Sequence, residues 1–549
     1  MRRTGARHIV DALVAHGVDR VFCVPGESYL PVLDALHDVS DKIQLIACRM
    51  EAGAANMAEA HGKLTGRPGV CMVTRGPGAT HASVGVHTAQ QDSTPMLLFI
   101  GQVSTADKGR EAFQEVDYEA FFGPLAKWAV ELEDASRVRE IVDRAFATAL
   151  QGRMGPVALA LPEDMLAAEA ESDFAAPRAV SSQGLDPGTL ADIGALLSAA
   201  KRPLLVLGGS GWDAASLAAI RTFSEQNDLP VVLSFRRKDL LDNDSPQFVG
   251  DLGLGPNPKL LARIRECDLI LAVGARLGEN PTQGYTLFTR AETAKKLVHI
   301  HAGAEEIGRV WPARVGAVAD VRAAAAALSG VRVRGEWGVW RAAARSDYEA
   351  WTAPIAVTGA VNMSEVVVHM CSVLPHDAII TNGAGNYAAW LHRFIRHRSF
   401  RTQLAPTSGA MGYGVPAAIA AKLAHPDREV VAFAGDGCFL MTGQELATAV
   451  QYNVNVVIVV VDNGSYGTIR LHQERHFPGR VSATDLRNPD FAAYARAFGA
   501  WAATVESTEG FAQAFAEARK AGRPALLHVK TDIEDISPGR TIAGLRAGS

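Results

Sequence analysis

Cysteine is scarce in this chain: six residues, at 23, 48, 71, 267, 371 and 438, are spread through 549 positions without a CxxC pair or zinc-ligand spacing. That excludes a disulfide framework and suits a reducing, cytoplasmic setting. Long apolar runs are also absent. The longest are strand-length, well short of the ~20 residues that span a bilayer, so no membrane segment is expected. Near the start, Asp11 and His16 interrupt Ile9, Val10, Leu13 and Val14, which leaves no apolar core for a signal peptide. Charge of one sign is lacking too. With a net charge of -5 and no basic run, a nucleic-acid surface is not expected.

What is plentiful is glycine, 51 residues, set among 48% hydrophobic residues. A chain of this length suggests about three domains at ~150 residues each. Apolar strand patterns alternate with helical ones throughout, which predicts an α/β protein of three Rossmann-like, doubly wound parallel sheets. The domains are expected at 1-166, 187-330 and 360-535, with linkers over 167-188 and about 331-360. The region from Asp490 to Val529 reads as a final helix and strand, and 539-549 as a free tail.

The densest stretch runs from Val430 to Ser465. A buried apolar run, Val430 to Ala434, stops at Gly435-Asp436-Gly437. A helical pattern follows from Gln444 to Gln451, and a second apolar run, Val456 to Val461, stops at Asp462-Asn463. This predicts two neighbouring parallel strands with Asp436 and Asn463 at their carboxyl ends, the edge where such sheets bind ligands. A carboxylate, an amide oxygen and a nearby main-chain carbonyl suit Mg²⁺ bridging to phosphate, and Gly435 and Gly437 would leave room for that phosphate.

GDG followed by this DN resembles the thiamine-diphosphate motif of the acetolactate synthase and pyruvate decarboxylase superfamily. The usual ending is Asn-Asn; here Asp462 takes the first place and the liganding second place is kept. The resemblance implies thiamine diphosphate and Mg²⁺ as cofactors, with Asp436, Asn463 and the main-chain oxygen of Ser465 as metal ligands. It also implies a pyrimidine-binding first domain, a central domain and a diphosphate-binding third domain.

Residues 49-80, opening with Arg49-Met50-Glu51 and closing with RGPGAT, track the first domain of acetolactate-synthase-like enzymes almost continuously. In that family a glutamate hydrogen-bonds N1′ of the aminopyrimidine and favours the tautomer that removes the thiazolium C2 proton. Glu51 is the match, and as a helix-start acid it would also complement the macrodipole. The resemblance places Pro25, Gly26, Thr74, Gly385, Asn386, Tyr387, Gly409, Met411, Gly435, Gly437, Cys438 and Tyr466 around the cofactor. Met411 is the apolar prop of its bent conformation, and Asn386 and Tyr387 replace the usual polar pair but can still hydrogen-bond phosphate. Because the family builds its sites from two subunits, a homodimer or homotetramer is expected.

The reaction is harder to read. A 2-keto acid and a carbonyl acceptor are the expected substrates, by decarboxylation with carboligation. Gln114, in an AFQE segment, and His472 are candidate catalytic groups, with His81 and Gln473 as further proton-handling candidates. Lys127 falls where acetolactate synthases carry a lysine near the substrate channel, or is simply solvated. Those enzymes follow GAR-Phe with acidic residues and a carboxylate-binding arginine, whereas this chain has Leu277-Gly278-Glu279-Asn280. They also carry a tryptophan where His472 stands. The paired histidines of pyruvate decarboxylases are replaced by Gln90-Gln91-Asp92-Ser93.

FAD, which acetolactate synthases bind in the central domain, is left open. Gly208-Gly209-Ser210-Gly211 is a weak nucleotide signal, and the family's acidic strand is replaced by Val298-His299-Ile300-His301-Ala302-Gly303. Acetolactate synthesis proper, a non-catalytic cofactor-binding regulator and a dinucleotide oxidoreductase are the competing readings.

Overall fold

The computed structural model describes residues 2-171 and 183-548. It contains three six-stranded sheets, all parallel. In the first, the spatial order is Gln44–Ala47, Arg20–Cys23, Gly69–Val73, Met96–Gln102, Pro156–Pro162, Trp128–Glu131. In the third it is Gln403–Leu404, Ile379–Asn382, Val430–Gly435, Val457–Asp462, Ala525–Lys530, Trp501–Val505. Numbered by chain position, both read 2-1-3-4-6-5. The middle sheet, from Phe248–Asp251 through Val231–Leu233, Pro203–Leu207, Leu269–Val273 and Leu297–His301 to Val315–Val318, reads 3-2-1-4-5-6. The expected α/β class is therefore present, and the first and last sheets share a plan that the middle one does not.

The central strands are buried on both faces, as their unbroken apolar runs require. Each sheet has a switch point where the chain order reverses, between Arg20–Cys23 and Gly69–Val73 in the first and between Ile379–Asn382 and Val430–Gly435 in the third. Loops leaving adjacent strands diverge there and open a crevice.

One continuous apolar core joins the first and third sheets' helices. It contains Ala54, Ala55 and Ala58 of helix Glu51–Thr65, Ala82 and Val86 of helix Pro77–Asp92, and Ala417 and Ala421 of helix Gly414–Ala424. Small side chains let these helices approach closely, since a Cβ on Gly85 would lie 2.4 Å from that of Ala55.

Three expectations change. The stretch about 331-360 is not a plain linker, because Gly338–Trp351 is a helix whose Tyr348 ring packs edge-on against Phe248 at 4.8 Å. Asp490 to Val529 holds two helices and two strands rather than one of each. The 539-549 tail is docked over its described residues: helix Ile542–Arg546 buries Ile542, and Arg546 forks onto Glu474 with two 2.8 Å bonds. Of the 167-188 linker, residues 172-182 lie outside the described residues. Just before them, Glu169–Glu171 pairs antiparallel with Arg2–Thr4.

Candidate functional site

At the third sheet's switch point a cavity of about 390 Å³ opens beneath Gly385, Met411, Asp436, Asn463 and Tyr466. Strand Val430–Gly435 delivers Asp436 and its neighbour Val457–Asp462 delivers Asn463, as the sequence pattern predicts. Asp436 is buried. Its carboxylate accepts N–H bonds from Gly437 at 2.8 Å and Ser465 at 3.2 Å, and a 2.8 Å bond from the Asn488 amide. Asn463 Oδ1 accepts from the same Ser465 N–H at 3.1 Å, so the three expected ligand residues form one knot. Burial, with Asp462 nearby, pushes the Asp436 carboxyl up to about 6.

Asp462, the departure from Asn-Asn, borders the knot and shares the Asn488 amide with Asp436. It accepts from Asn488 at 2.7 Å, from Gly464 N–H at 3.0 Å, and lies 2.8 Å from His528 Nε2 on the adjoining strand. Burial opposes its ionisation, but the bonds from His528 and Asn488 outweigh that and hold it down at about 2. Asn488 and His528 were not singled out in the sequence. Both are ordinary polar residues whose only signal is spatial proximity to Asp462.

The glycines also answer a packing need. A Cβ on Gly435 would lie 2.7 Å from the Tyr387 ring, and one on Gly437 2.5 Å from the Tyr466 ring. Aromatic rings therefore require glycine at both positions, and both glycines still line the cavity. Tyr387 turns inward, its hydroxyl 3.0 Å from Gly383 N–H and 3.3 Å from Cys438 Sγ, while Cys438 Sγ also meets Gly412 N–H at 3.2 Å. The Asn386 amide donates to Ile536 and Gly467 carbonyls and accepts from Thr468, so it clamps the cavity wall. A Cβ on Gly409, at φ +73, would meet nothing within 4 Å and would face open space.

Glu51, Pro25, Gly26, Thr74 and Gln114 do not line this cavity. They gather at the first sheet's switch point instead. Gly26 lies against Thr74, whose Oγ1 meets Ser28 Oγ at 2.9 Å; a Cβ on Gly78 would reach Thr74 and the Glu51 carboxylate. His81 Nδ1 sits 3.1 Å from Glu51 Oε2, placed to donate. Gln114, at φ +64, packs on the Gly76 turn.

A residue of the third sheet's domain braces this second crevice, and no motif marks it. Glu445 accepts 3.0 Å bonds from the Arg49 and Met50 N–H groups, just ahead of helix Glu51–Thr65. Only glycine fits at position 53, since a Cβ there would lie 2.4 Å from Glu445 Oε1.

Other candidates separate from both crevices. His472 is exposed on helix Gly467–His476 and stacks on His476, with centroids 6.1 Å apart. Gln473 is spent on Ser482 and Thr484. Lys127 is part-buried rather than solvated. It caps the carbonyls of Thr148 at 2.5 Å and Gln151 at 2.7 Å, and burial pulls its ammonium down to about 8. Asp92, where pyruvate decarboxylases have histidines, bonds Lys63 at 2.5 Å and Thr407 N–H at 2.6 Å, stitching the first and third domains together.

Two like-ordered sheets, one presenting a helix-start glutamate and the other an Asp-Asn-Ser knot, match the comparisons with known proteins. Residues 3–121, 190–328 and 383–529 match, respectively, the N-terminal TPP binding, central and C-terminal TPP binding domains of thiamine pyrophosphate enzymes. The chain belongs to the thiamine pyrophosphate enzyme family. It is similar to acetolactate synthases across its length. It is 33% identical over 541 residues to the acetolactate synthase large subunit of Parasynechococcus marenigrum, covering 96% of this chain and 87% of that one. With acetolactate synthase isozyme 2 large subunit of Escherichia coli it shares 30% over 546 residues, 97% of each chain. A probable acetolactate synthase large subunit of Methanocaldococcus jannaschii is 31% identical over 566 residues, 97% of this chain and 93% of that one. Family membership is thus established for a thiamine diphosphate enzyme of acetolactate-synthase-like type. Among the described residues no helix is long and apolar enough to cross a membrane.

Proposed function

We propose that the protein is a thiamine-diphosphate- and Mg²⁺-dependent 2-keto acid decarboxylase and carboligase, working as a homodimer or homotetramer with sites between subunits. The observation that carries it is the knot of Asp436, Asn463 and Ser465 at the mouth of a cavity large enough for a small organic ligand. Among the described residues no three His, Cys, Asp or Glu side chains could hold a metal. A cation here would rest on one carboxylate, one amide oxygen and one carbonyl, a hard set that needs phosphate oxygens to complete it. Those residues fit Mg²⁺ held together with a diphosphate.

Bound thiamine diphosphate supplies the electron sink for making or breaking a bond next to a carbonyl. Glu51 would hold a proton at the pyrimidine N1′, with His81 keeping its carboxylate oriented. Met411 and Tyr466 would support the cofactor from the cavity wall. Glu51 lies outside the cavity of its own chain, which favours a site completed by a second copy.

The central domain favours a flavin-free reading. Gly208-Gly209 and Gly274-Ala275 pack on each other so closely that a Cβ on Gly209 would lie 2.0 Å from Gly274 O, and the Trp212 indole fills the same turn with a 2.8 Å bond to Gly208 O. The glycines there are explained by packing alone.

The test is a panel of 2-keto acids and aldehydes incubated with protein, thiamine diphosphate and Mg²⁺, with products identified by mass. Release of CO₂ with a ligated product supports the reading. 2-Acetolactate as the sole product from pyruvate would narrow it to acetolactate synthesis, and no turnover of any 2-keto acid would refute it.

A further inference from the structure

Arg236 stands in the wall of the same cavity, contributed by the central domain. It is 3% exposed and adopts φ +58, a left-handed conformation unfavourable for any residue but glycine. Its Nη1 donates to Pro406 O, five residues ahead of Met411, while its Nε has no partner. The guanidinium carbon lies 4.9 Å from the centre of the Phe235 ring. The basic residues that follow it are matched: Arg237 lies 3.6 Å from Asp239, and Lys238 lies 3.8 Å from Asp251. Among the described residues no carboxylate pairs with Arg236.

A second orphan faces the same space. His392, on helix Tyr387–Phe394, lines the cavity and its buried Nε2 has no partner. Burial, then the charges of Arg236 and Lys238, hold its imidazole well below the ordinary range, so it stays neutral and free to donate one hydrogen bond. An unpaired guanidinium out of water is destabilising, and a backbone held in a strained region adds to that. Such a residue calls for an anion from outside the chain. Asp436, Asn463 and Ser465 belong to the Gly435 and Asp462 strand ends, whereas Arg236 is anchored to the segment leading to Met411. Its anchor point is therefore distinct from the strand ends that carry the expected metal ligands.

We propose that Arg236, with His392 beside it, binds the carboxylate of the 2-keto acid substrate. This rests on the reaction class proposed above. It would supply, from the loop after strand Val231–Leu233, the bidentate contact that acetolactate synthases draw from an arginine missing at Leu277-Gly278-Glu279-Asn280. The carboxylate could belong to the donor or to a keto acid acceptor.

The experiment compares wild type with Arg236→Met and Arg236→Lys, each loaded with thiamine diphosphate and Mg²⁺. In Arg236→Met the KM for pyruvate should rise at least about tenfold, as expected for loss of a charge-assisted fork, with Arg236→Lys in between. Cofactor affinity, read by quenching of tryptophan fluorescence, should not move. If CO₂ release from pyruvate carries the KM change, the donor carboxylate is bound. If only ligation onto a keto acid falls while ligation onto acetaldehyde persists, it is the acceptor's. A readout independent of turnover is thermal melting: removing the unpaired cation should raise the midpoint of the ligand-free protein, and oxamate should stabilise wild type but not Arg236→Met. An unchanged KM and an unchanged oxamate shift overturn the proposal. Should Arg236→Met fail to fold, Arg236→Lys decides, since it keeps the charge and loses the fork. Wild type inert towards every 2-keto acid would sink the reaction class instead, and the oxamate melt would still judge Arg236.

Discussion

The Tyr413 hydroxyl donates to Glu59 Oε2 at 2.5 Å, both side chains fully buried, across the contact between the first and third domains. Tyr413 lies two residues after Met411, and Glu59 is two helical turns along from Glu51. The bond therefore ties the third-domain cavity wall to the helix that presents the first-domain acid. Glu59 has one other side-chain donor, Thr94 at 2.6 Å.

Tyr413→Phe removes one donor from a buried carboxyl and should cost about 1–3 kcal/mol, the penalty of an unsatisfied buried acceptor. A lowered midpoint of thermal unfolding, with an unchanged far-ultraviolet spectrum, is the expected result. An unchanged midpoint would show that the contact contributes nothing net.

Glu51→Gln keeps shape and hydrogen-bonding capacity but cannot hold the proton. Turnover with saturating thiamine diphosphate should fall by about 10²–10⁴-fold, the usual scale for a lost acid-base group, with cofactor affinity little changed. Turnover within a fewfold of wild type would remove Glu51 from the chemistry.

Asp436→Asn should erase the stabilisation given by Mg²⁺ with thiamine diphosphate. In wild type that linkage amounts to about 2.7 kcal/mol when ligand is at a hundred times its Kd, read as a rise in melting temperature on addition of both. Each added alone should have less effect, because the oxygen set depends on phosphate to complete it. An equal rise in the variant would place the cation elsewhere.

Acid should loosen the tail before it loosens the sheets. Hydrogen bonds from Arg546, Gly479 N–H and Arg470 hold Glu474 down at about 2 against an ordinary value of 4.5. A depressed carboxyl contributes stability that is present above its unfolded value, and that contribution is lost as pH falls from about 4.5 toward about 2. Glu474→Gln should free the tail at neutral pH, so trypsin should cut after Arg540 in the variant faster than in wild type. Equal resistance would mean that burial of Ile542 alone holds the tail.

The purified protein should show no flavin absorbance. Tightly bound yellow chromophore, released by denaturation and identified by mass, would contradict the packing account of the central glycine turn.

The sequence made the third-domain site legible because its chemistry is local. GDG and DN each end a buried apolar run, and parallel pairing of the two runs fixes where Asp436 and Asn463 meet. Neighbours brought in by the fold were invisible for the opposite reason. Glu445 holds the turn before a helix almost 400 positions away, Asn488 reaches Asp462 from a loop, and Arg236 enters the cavity from another domain; none sits in a motif of its own. The helix over Gly338–Trp351 was missed because its apolar face is thin, with Ala344 and Tyr348 the buried positions. The part-buried setting of Lys127 was hidden because a surface-looking lysine can place its ammonium on helix carbonyls, which no one-dimensional pattern records.

The Glu445 cap has an outcome for mixed assemblies. If the site is completed by a second copy as proposed, then because Glu445 grips the approach to Glu51 within one polypeptide, a lesion at either position would damage the same half-site, whereas a lesion at Asp436 would damage the other. Co-assembled defective protomers of the two kinds could complement one another, while two defects of the same kind could not. Inheritance of the fault would follow the covalent chain rather than the pocket in which the reaction takes place.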